Sequence, residues 1–135
     1  GKTMQAAISR RLVAIAGALA VASMAHGQQA TPQFVGRWTG HVPGLGNAEI
    51  VVTAVRANGQ VDGQMVFPDQ NQTFTFGEKL DITKSINHGV IQGPSLTIET
   101  AMGGTYRLNL ESGGLRGEYV RGNTYKVPVT FQKAT

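Results

Sequence analysis

The chain of 135 residues is long enough for one globular domain and too short for two of ordinary size. It contains no cysteine, which excludes disulfides, thiolate metal sites and a cysteine nucleophile. Lys2, Arg10 and Arg11 account for most of the formal net charge of +4, because the remaining nine of the 12 basic residues nearly balance all eight acidic residues. We therefore expect no nucleic-acid partner.

Residues 1–27 have the three parts of a secretory signal peptide. Basic residues come first, an apolar run covers 12–22, and small residues follow at Ser23, Ala25 and Gly27, so that cleavage after Ala25 or Gly27 is predicted. The alternative is a retained anchor, but the run is shorter than the ~20 apolar residues that span a membrane. We predict a bacterial protein that is periplasmic or secreted, without stable membrane insertion after cleavage.

The segment 28–33 is predicted to be a flexible polar tether, and 34–135 a single β-barrel domain. From Phe34 onward apolar and polar residues alternate with a period of two, which is typical of strands with one buried face. Trp38, Gly40 and Val42 share a face of the first predicted strand, and the Pro- and Gly-containing turn 43–46 ends it.

Further predicted strands follow at hairpin spacing. Residues 48–55 and 61–67 alternate, and Asn58-Gly59 between them predicts a two-residue type I′ turn, which needs positive φ at both central positions. A loop at 68–72 and a strand at 73–76 come next. Between 77 and 93 the pattern is weak, with short strands indicated at 80–82 and 90–92. Residues 95–99, 105–111, 115–119 and 125–131 alternate cleanly, separated by glycine-containing turns.

No segment of the expected mature chain has a helical pattern with caps. The sequence therefore predicts an all-β fold: an antiparallel up-and-down meander of about eight strands, closed or nearly closed into a barrel, preceded by the signal-peptide helix. Gly63 and Gly117 fall on the inward register of two hairpin strands. A glycine there predicts a bend, a bulge or the close approach of a large neighbour such as Trp38.

The opening Gly36-x-Trp38 and the later hairpins of the form Gly-x-apolar-x-Gly-x-aromatic resemble the lipocalin and avidin group of calycin-like barrels. They also resemble the small secreted barrel domains that bacteria encode alone or beside serine hydrolase domains. The resemblance covers about residues 34–133. The second lipocalin motif, Thr-Asp-Tyr, is absent, and the chain has one tryptophan where avidin-type pockets have several. The resemblance therefore implies a barrel and no particular ligand.

The resemblance also implies a structural plug at one end of the barrel. In lipocalins the tryptophan of Gly-x-Trp closes that end, beneath a basic side chain from a late strand. The corresponding residues here are Gly36 and Trp38, with Arg116, Arg121 or Lys126 as the basic partner.

Residues able to perform catalysis or bind a metal are few. His41 and His88 are the only histidines after the leader, and they lack the spacing of zinc ligands. A Ser-His-Asp set can be drawn from Ser85 or Ser95 with His88 and Asp81, but no Gly-x-Ser-x-Gly elbow is present. We therefore predict no catalytic residues, no metal and no cofactor.

The predicted interior is rich in aromatic side chains near the loop 68–72. An eight-stranded barrel is either filled by side chains or holds one small ligand. In the second case we expect the end of the barrel away from Trp38 to be open and to bind a small apolar molecule. The candidate ligand-binding residues are Met65, Phe67, Phe74, Phe76, Tyr106 and Tyr119.

Two alternatives to ligand binding remain at this point. An accessory module would contact another envelope protein through the outer face of the second strand, where Val51 and 53–55 are apolar or small. A hydrolase-associated barrel domain would have no activity of its own. The sequence does not indicate an oligomeric state.

Overall fold

The computed structural model describes residues 32–134, which form a closed barrel of nine strands. The strands are β1 (Gly36–Val42), β2 (Gly46–Val55), β3 (Val61–Phe67), β4 (Gln72–Phe76), β5 (Ile86–Gln92), β6 (Ser95–Glu99), β7 (Thr105–Glu111), β8 (Gly114–Arg121) and β9 (Tyr125–Ala134). Two short 3₁₀ helices, η1 (Pro32–Phe34) and η2 (Pro68–Gln70), precede β1 and β4. The predicted all-β barrel is confirmed, with nine strands where about eight were expected.

The predicted signal peptide, residues 1–27, lies outside the described residues, as do 28–31 of the predicted tether and Thr135. Pro32 and Gln33, which the sequence assigned to the tether, belong to η1. Within the part of the chain that the structure describes, no helix has the length and hydropathy needed to cross a membrane.

The strands pair in chain order, and β1 pairs antiparallel with β9 to close the ring. The barrel departs from a pure up-and-down meander at one junction, where β4 and β5 run parallel with Thr75 opposite Ile86. The reason is geometric. Each antiparallel pair reverses the strand direction, and going once around a closed ring must restore it, so the number of antiparallel pairs is even. A ring of nine strands has nine neighbouring pairs, and an odd number of them must therefore be parallel. An eight-stranded meander would need none.

The connection between the parallel strands, residues 77–85, contains no strand. The sequence indicated separate short strands at 80–82 and 90–92. Residues 80–82 instead lie in the connection, and 90–92 are the last part of β5, which begins at Ile86. The strand-type pairing between the connection and β5 is limited to an isolated bridge between Asp81 and Ile86.

The connection contains a tight turn built on Asp81. The Oδ1 atom of Asp81 accepts hydrogen bonds from the Thr83 hydroxyl at 2.7 Å and from the N–H groups of Thr83 and Lys84 at 3.1 and 3.2 Å. These hydrogen bonds, that of the Thr83 hydroxyl foremost, lower the pKa of Asp81 below its usual value. The turn is therefore ordered by the carboxylate form of Asp81.

Asn87 fastens the parallel junction from inside the barrel. Its side chain is fully buried, and its Oδ1 accepts a hydrogen bond from the Ala101 N–H at 2.8 Å. Its backbone carbonyl accepts the N–H of Gly77 at 2.8 Å, and the Nδ1 atom of His88 lies 3.0 Å from the Gly77 carbonyl oxygen. An inward asparagine breaks the apolar alternation, which explains why the sequence pattern was weak here.

The interior is filled by apolar side chains from every strand. The buried apolar residues are Phe34, Trp38, Val42, Ala48, Ile50, Val52, Val61, Met65, Phe67, Phe74, Phe76, Ile91, Leu96, Ile98, Tyr106, Leu108, Leu115, Tyr119, Val129 and Phe131. Alternation predicted most of this set. Leu110 and Val127 were expected inside and are half-buried, and Tyr125 is exposed. The filled barrel is therefore the arrangement that the structure shows.

Trp38 closes the end of the barrel where β1 begins and β9 ends. Its indole Nε1 donates a hydrogen bond to the Phe34 carbonyl at 2.9 Å, which fixes η1 across this end with the Phe34 ring fully buried. The Nζ atom of Lys133 lies 5.0 Å from the centroid of the Trp38 ring, a cation–π distance. A Cβ at Gly36 would meet the Lys133 side chain, so glycine leaves room for it.

The basic residue above Trp38 is thus Lys133, and the three that the sequence indicated lie elsewhere. Lys133 is the residue of β9 directly opposite Trp38 in the β1–β9 ladder. Arg116 and Lys126 form exposed ion pairs with carboxylates. Arg121 lies at the other end of β8, beside a cleft described below. Lys126 lies on the same strand as Lys133, but near its other end.

Gly63 and Gly117 allow two neighbouring strands to approach closely. A Cβ at Gly63 would collide with the carbonyl oxygen of Val51, and one at Gly117 would collide with that of Arg107. Gly63 also has a φ of +141°, and the β2–β3 pairing changes register beside it, which is a bulge. The bulge was among the predicted reasons; the close neighbour is a backbone carbonyl and not Trp38.

The β2–β3 hairpin forms where the sequence predicted it, but with another turn. The Arg56 N–H donates to the Gln60 carbonyl at 2.8 Å, which encloses a loop of three residues, 57–59, and not of two. Of the two loop residues that a type I′ turn requires at positive φ, only Gly59 has it, at +91°. A three-residue loop ending in a left-handed glycine is the other common hairpin turn.

Replacing Trp38 by alanine is expected to lower the free energy of unfolding by about 3–5 kcal/mol, because the indole is 3% exposed and fills one end of the core. Guanidinium unfolding followed by circular dichroism measures this without depending on tryptophan fluorescence. Thr97→Ala, at an exposed position on β6, is the control and should change stability by less than about 0.5 kcal/mol. Equal losses in both variants would contradict the plug.

Candidate functional site

A cleft of about 460 Å³ opens at the end of the barrel opposite Trp38. It lies between the β1–β2 turn and the β8–β9 turn. The residues that line it are Pro43, Gly44, Leu45, Tyr119, Arg121, Thr124 and Tyr125. Its walls are therefore mainly apolar and aromatic, with one cationic side chain.

The cleft exists because β1 and β9 separate toward this end. Residues 125–132 of β9 pair with β8, but β9 pairs with β1 only over 131–134. Pro128 lies in the part of β9 that has no β1 partner, and proline, having no N–H, suits a strand edge. The gap is bridged at its rim by the Tyr125 hydroxyl, which donates to the Pro43 carbonyl at 2.9 Å.

Tyr119 forms the inner side of the cleft, and Tyr106 packs behind it in the core. The Tyr119 hydroxyl donates to the Gly103 carbonyl at 2.9 Å, and its ring lies against Gly104, where a Cβ would come within 2.6 Å of ring atoms. The Tyr106 ring packs behind it, with the two ring centroids 4.6 Å apart. The buried Tyr106 hydroxyl forms no hydrogen bond with any residue of 32–134.

Burial, and secondarily the neighbouring Tyr119, raises the pKa of Tyr106 well above its ordinary value of 10.0. The phenol is therefore neutral across the physiological range. An unpaired buried hydroxyl costs a protein about 1–3 kcal/mol of desolvation. Tyr106 is thus a polar group that the filled core holds at a cost.

Arg121 contributes a positive charge at the rim. Its Nη2 lies 3.4 Å from the position that a Cβ on Gly103 would take, so the guanidinium lies over the β6–β7 turn. The ion pairs within residues 32–134 are Arg37–Glu49, Arg56–Asp62, Arg116–Glu111 and Lys126–Glu118. Arg121 is in none of them, so no carboxylate of the described barrel neutralises the cationic rim.

Of the six candidate ligand-binding residues, only Tyr119 borders this cleft. The other five lie in the packed core, each at most 7% exposed: Met65, Phe67, Phe74, Phe76 and Tyr106. Phe67 and Phe74 pack edge to face with their centroids 6.0 Å apart. These rings therefore fill the space that the sequence left open to a ligand.

The loop that the sequence placed over the mouth is fastened to β2. The Asp69 carboxylate accepts the Asn47 N–H at 2.9 Å, and the Gln70 side-chain amide donates to the Leu45 carbonyl at 2.9 Å. Sequence reasoning missed the cleft because its walls are turn residues. In a pure antiparallel meander the β1–β2 and β8–β9 turns would also lie at opposite ends of the barrel, and it is the parallel β4–β5 pair that brings them to the same end.

A second concavity, of about 470 Å³, lies on the outer face of β1 and β2 beside Pro68. Its polar groups contact one another: the Nδ1 atom of His41 is 3.5 Å from the Asn47 side-chain oxygen, and Glu49 pairs with Arg37 at 3.1 Å. No Phe, Tyr or Trp side chain borders it. It offers a ligand less apolar contact than the cleft at the barrel end.

Three residues of the hypothetical Ser-His-Asp set are hydrogen-bonded to other groups. The Ser95 hydroxyl donates to the Asn109 side chain at 2.7 Å, His88 faces the Gly77 carbonyl, and Asp81 accepts from Thr83. Across residues 32–134 no three or more His, Asp or Glu side chains are grouped closely enough to hold a metal ion.

Comparison of the chain with protein-family models, curated proteins and solved structures found no match in any of the three. The architecture itself, a closed nine-stranded barrel plugged at one end, is compatible with a calycin-like barrel.

The two tyrosines should respond oppositely to loss of the hydroxyl. Tyr106→Phe removes an unpaired buried group and is expected to leave the free energy of unfolding unchanged or raise it by up to about 1 kcal/mol. Tyr119→Phe breaks the bond to Gly103 and should cost about 0.5–1.5 kcal/mol. Guanidinium unfolding at pH 7 measures both. A loss in Tyr106→Phe as large as that in Tyr119→Phe would show that the Tyr106 hydroxyl is paired.

Tyr106→Phe should also change how the free energy of unfolding depends on pH in the alkaline range. Because the folded pKa of Tyr106 is raised above its unfolded value, its contribution is complete below pH 10 and is lost as the pH rises further, when the unfolded chain deprotonates first. Tyr106→Phe should therefore lose stability less steeply above pH 10 than the wild type when guanidinium unfolding is measured across that range, and equal slopes would contradict the raised pKa of Tyr106.

Proposed function

We propose that this protein is a non-catalytic binding protein that holds one small, largely apolar molecule in the cleft between the β1–β2 and β8–β9 turns. The observation that carries the proposal is a concave apolar and aromatic site beside a filled barrel. Sites for small molecules have volumes of about 300–1,000 Å³ and apolar walls with a few polar groups. The volume of about 460 Å³ lies in that range.

The aromatic wall of the cleft is held in place before any ligand arrives. Tyr125 is 39% exposed, and it is the one exposed Phe, Tyr or Trp of residues 32–134. Its hydroxyl is tied to Pro43, and its ring packs edge to face on Tyr119 with centroids 6.1 Å apart. A fixed ring loses little conformational entropy on binding, which favours affinity.

The alternative, an accessory module with an apolar outer face, finds less support. Val51 and Val55 of β2 are half-buried, and Val55 packs against the core. The large exposed apolar side chains of the described barrel are Val35, Ile82 and Tyr125, which lie on three separate segments. Single exposed residues of this kind are ordinary on a protein surface, whereas a partner site needs a contiguous patch.

Thr124→Trp tests the site by filling the cleft from its rim. Titration with the neutral apolar dye Nile red should give saturable binding to the wild type at one site. The affinity should fall at least tenfold in Thr124→Trp and stay unchanged in Thr97→Trp, which places the same indole on the exposed face of β6. Absence of saturable binding, or equal effects of both variants, would refute the proposal.

We further propose that the chain is exported and that its leader is removed. The support is the sequence of residues 1–27, with its basic start, its apolar run and Ala25 and Gly27 at the expected cleavage positions. Intact-mass measurement of the protein from a bacterial periplasmic extract should give a chain starting at His26 or Gln28. A full-length chain confined to the membrane fraction would indicate the anchor instead.

A further inference from the structure

We infer that the molecule held in the cleft is a carboxylate, whose anionic group pairs with Arg121 while its apolar body lies between Leu45 and Tyr125. This inference rests on the proposed function, because it names the chemical class of the ligand. A carboxylate ligand goes beyond the proposed function, because charge as well as apolar contact then selects the ligand.

The first support is the charge balance of the barrel surface. Arg37, Arg56 and Arg116 each have a carboxylate within 4 Å, whereas Arg107 and Arg121 take part in no ion pair among residues 32–134. Of these last two, only Arg121 borders a cleft. A guanidinium at the edge of an apolar site is a natural partner for a carboxylate, which it can bind through two parallel hydrogen bonds.

The second support is the turn on which Arg121 rests. The Thr100 hydroxyl lies 3.0 Å from the Gly103 carbonyl oxygen and 2.9 Å from the Gly104 carbonyl oxygen. The Tyr119 hydroxyl also donates a hydrogen bond to the Gly103 carbonyl. Gly103 has a φ of +90° and presents no side chain, so the exposed Arg121 side chain lies over the turn with its Nη2 atom 3.4 Å from the position that a Cβ would take. The turn therefore leaves space for the guanidinium beside the cleft.

The third support is the polarity of the other walls. None of the lining residues is acidic, so an anion entering the cleft meets no carboxylate. The hydroxyls of Tyr119 and Tyr125 donate their hydrogens to the carbonyls of Gly103 and Pro43. Among the lining side chains, this leaves the guanidinium as the charged donor that a ligand meets. A cation is disfavoured by the same group.

The test compares two ligands of nearly equal shape, 2-naphthoate and its neutral amide, 2-naphthamide. Chemical-shift titration of the ¹⁵N-labelled wild type should give a dissociation constant for the naphthoate at least tenfold lower, because hydrogen bonds to charged groups are stronger than neutral ones. Arg121→Gln should weaken naphthoate binding about tenfold and leave that of the amide within twofold.

Arg116→Gln is the matched control, because it removes the same charge from another exposed arginine of the same strand that does not line the cleft. It should preserve the preference for the naphthoate. Equal affinities in the wild type, an unchanged preference in Arg121→Gln, or no binding of either compound would overturn the inference. The proposed function is judged separately by Nile red binding, so saturable dye binding with no preference for the carboxylate would refute the inference alone.

Discussion

The short ladder between β1 and β9 determines both ends of this barrel. Four residue pairs, from Arg37 opposite Ala134 to Gly40 opposite Phe131, are all that join the first strand to the last. At one end this ladder places Lys133 over Trp38 and closes the core. Toward the other end the two strands have no ladder between them, and the walls separate. The plug and the cleft are therefore two consequences of one incomplete seam.

Closing the ring places a second demand on the opposite side of the barrel. With nine strands, one neighbouring pair has to be parallel, and the chain meets this at β4–β5 with two ladder pairs and a connection of nine residues. So short a ladder contributes little by itself. Asn87 adds a further connection at this junction, because its buried amide oxygen accepts a hydrogen bond from the β6–β7 turn. That turn in turn carries Gly103, on which Tyr119 and Arg121 rest.

Alternation of apolar and polar residues predicted the β-barrel and most of its core. Each strand has one face buried against many neighbours, so a local period of two indicates which side chains point into the barrel. Trp38 was found in this way. The parallel pair could not be, because ring parity depends on the total strand count and an inward asparagine at position 87 masks the strand. The cleft escaped for a related reason: Leu45 and Tyr125 are far apart in sequence and meet only when the ring closes. Phe67 and Phe74 were assigned to a ligand because a sequence does not reveal whether rings fill a cavity or line it.

The central claim is that the interior is filled and that a ligand binds beside it, at the open end of the β1–β9 seam. Intermolecular nuclear Overhauser effects between bound 2-naphthoate and the protein test this most directly. The account predicts cross-peaks from the naphthyl protons to the Leu45 methyl groups and the Tyr125 ring. Cross-peaks to Met65, Phe67 and Phe74 without those to Leu45 and Tyr125 would place the ligand inside the barrel and contradict it.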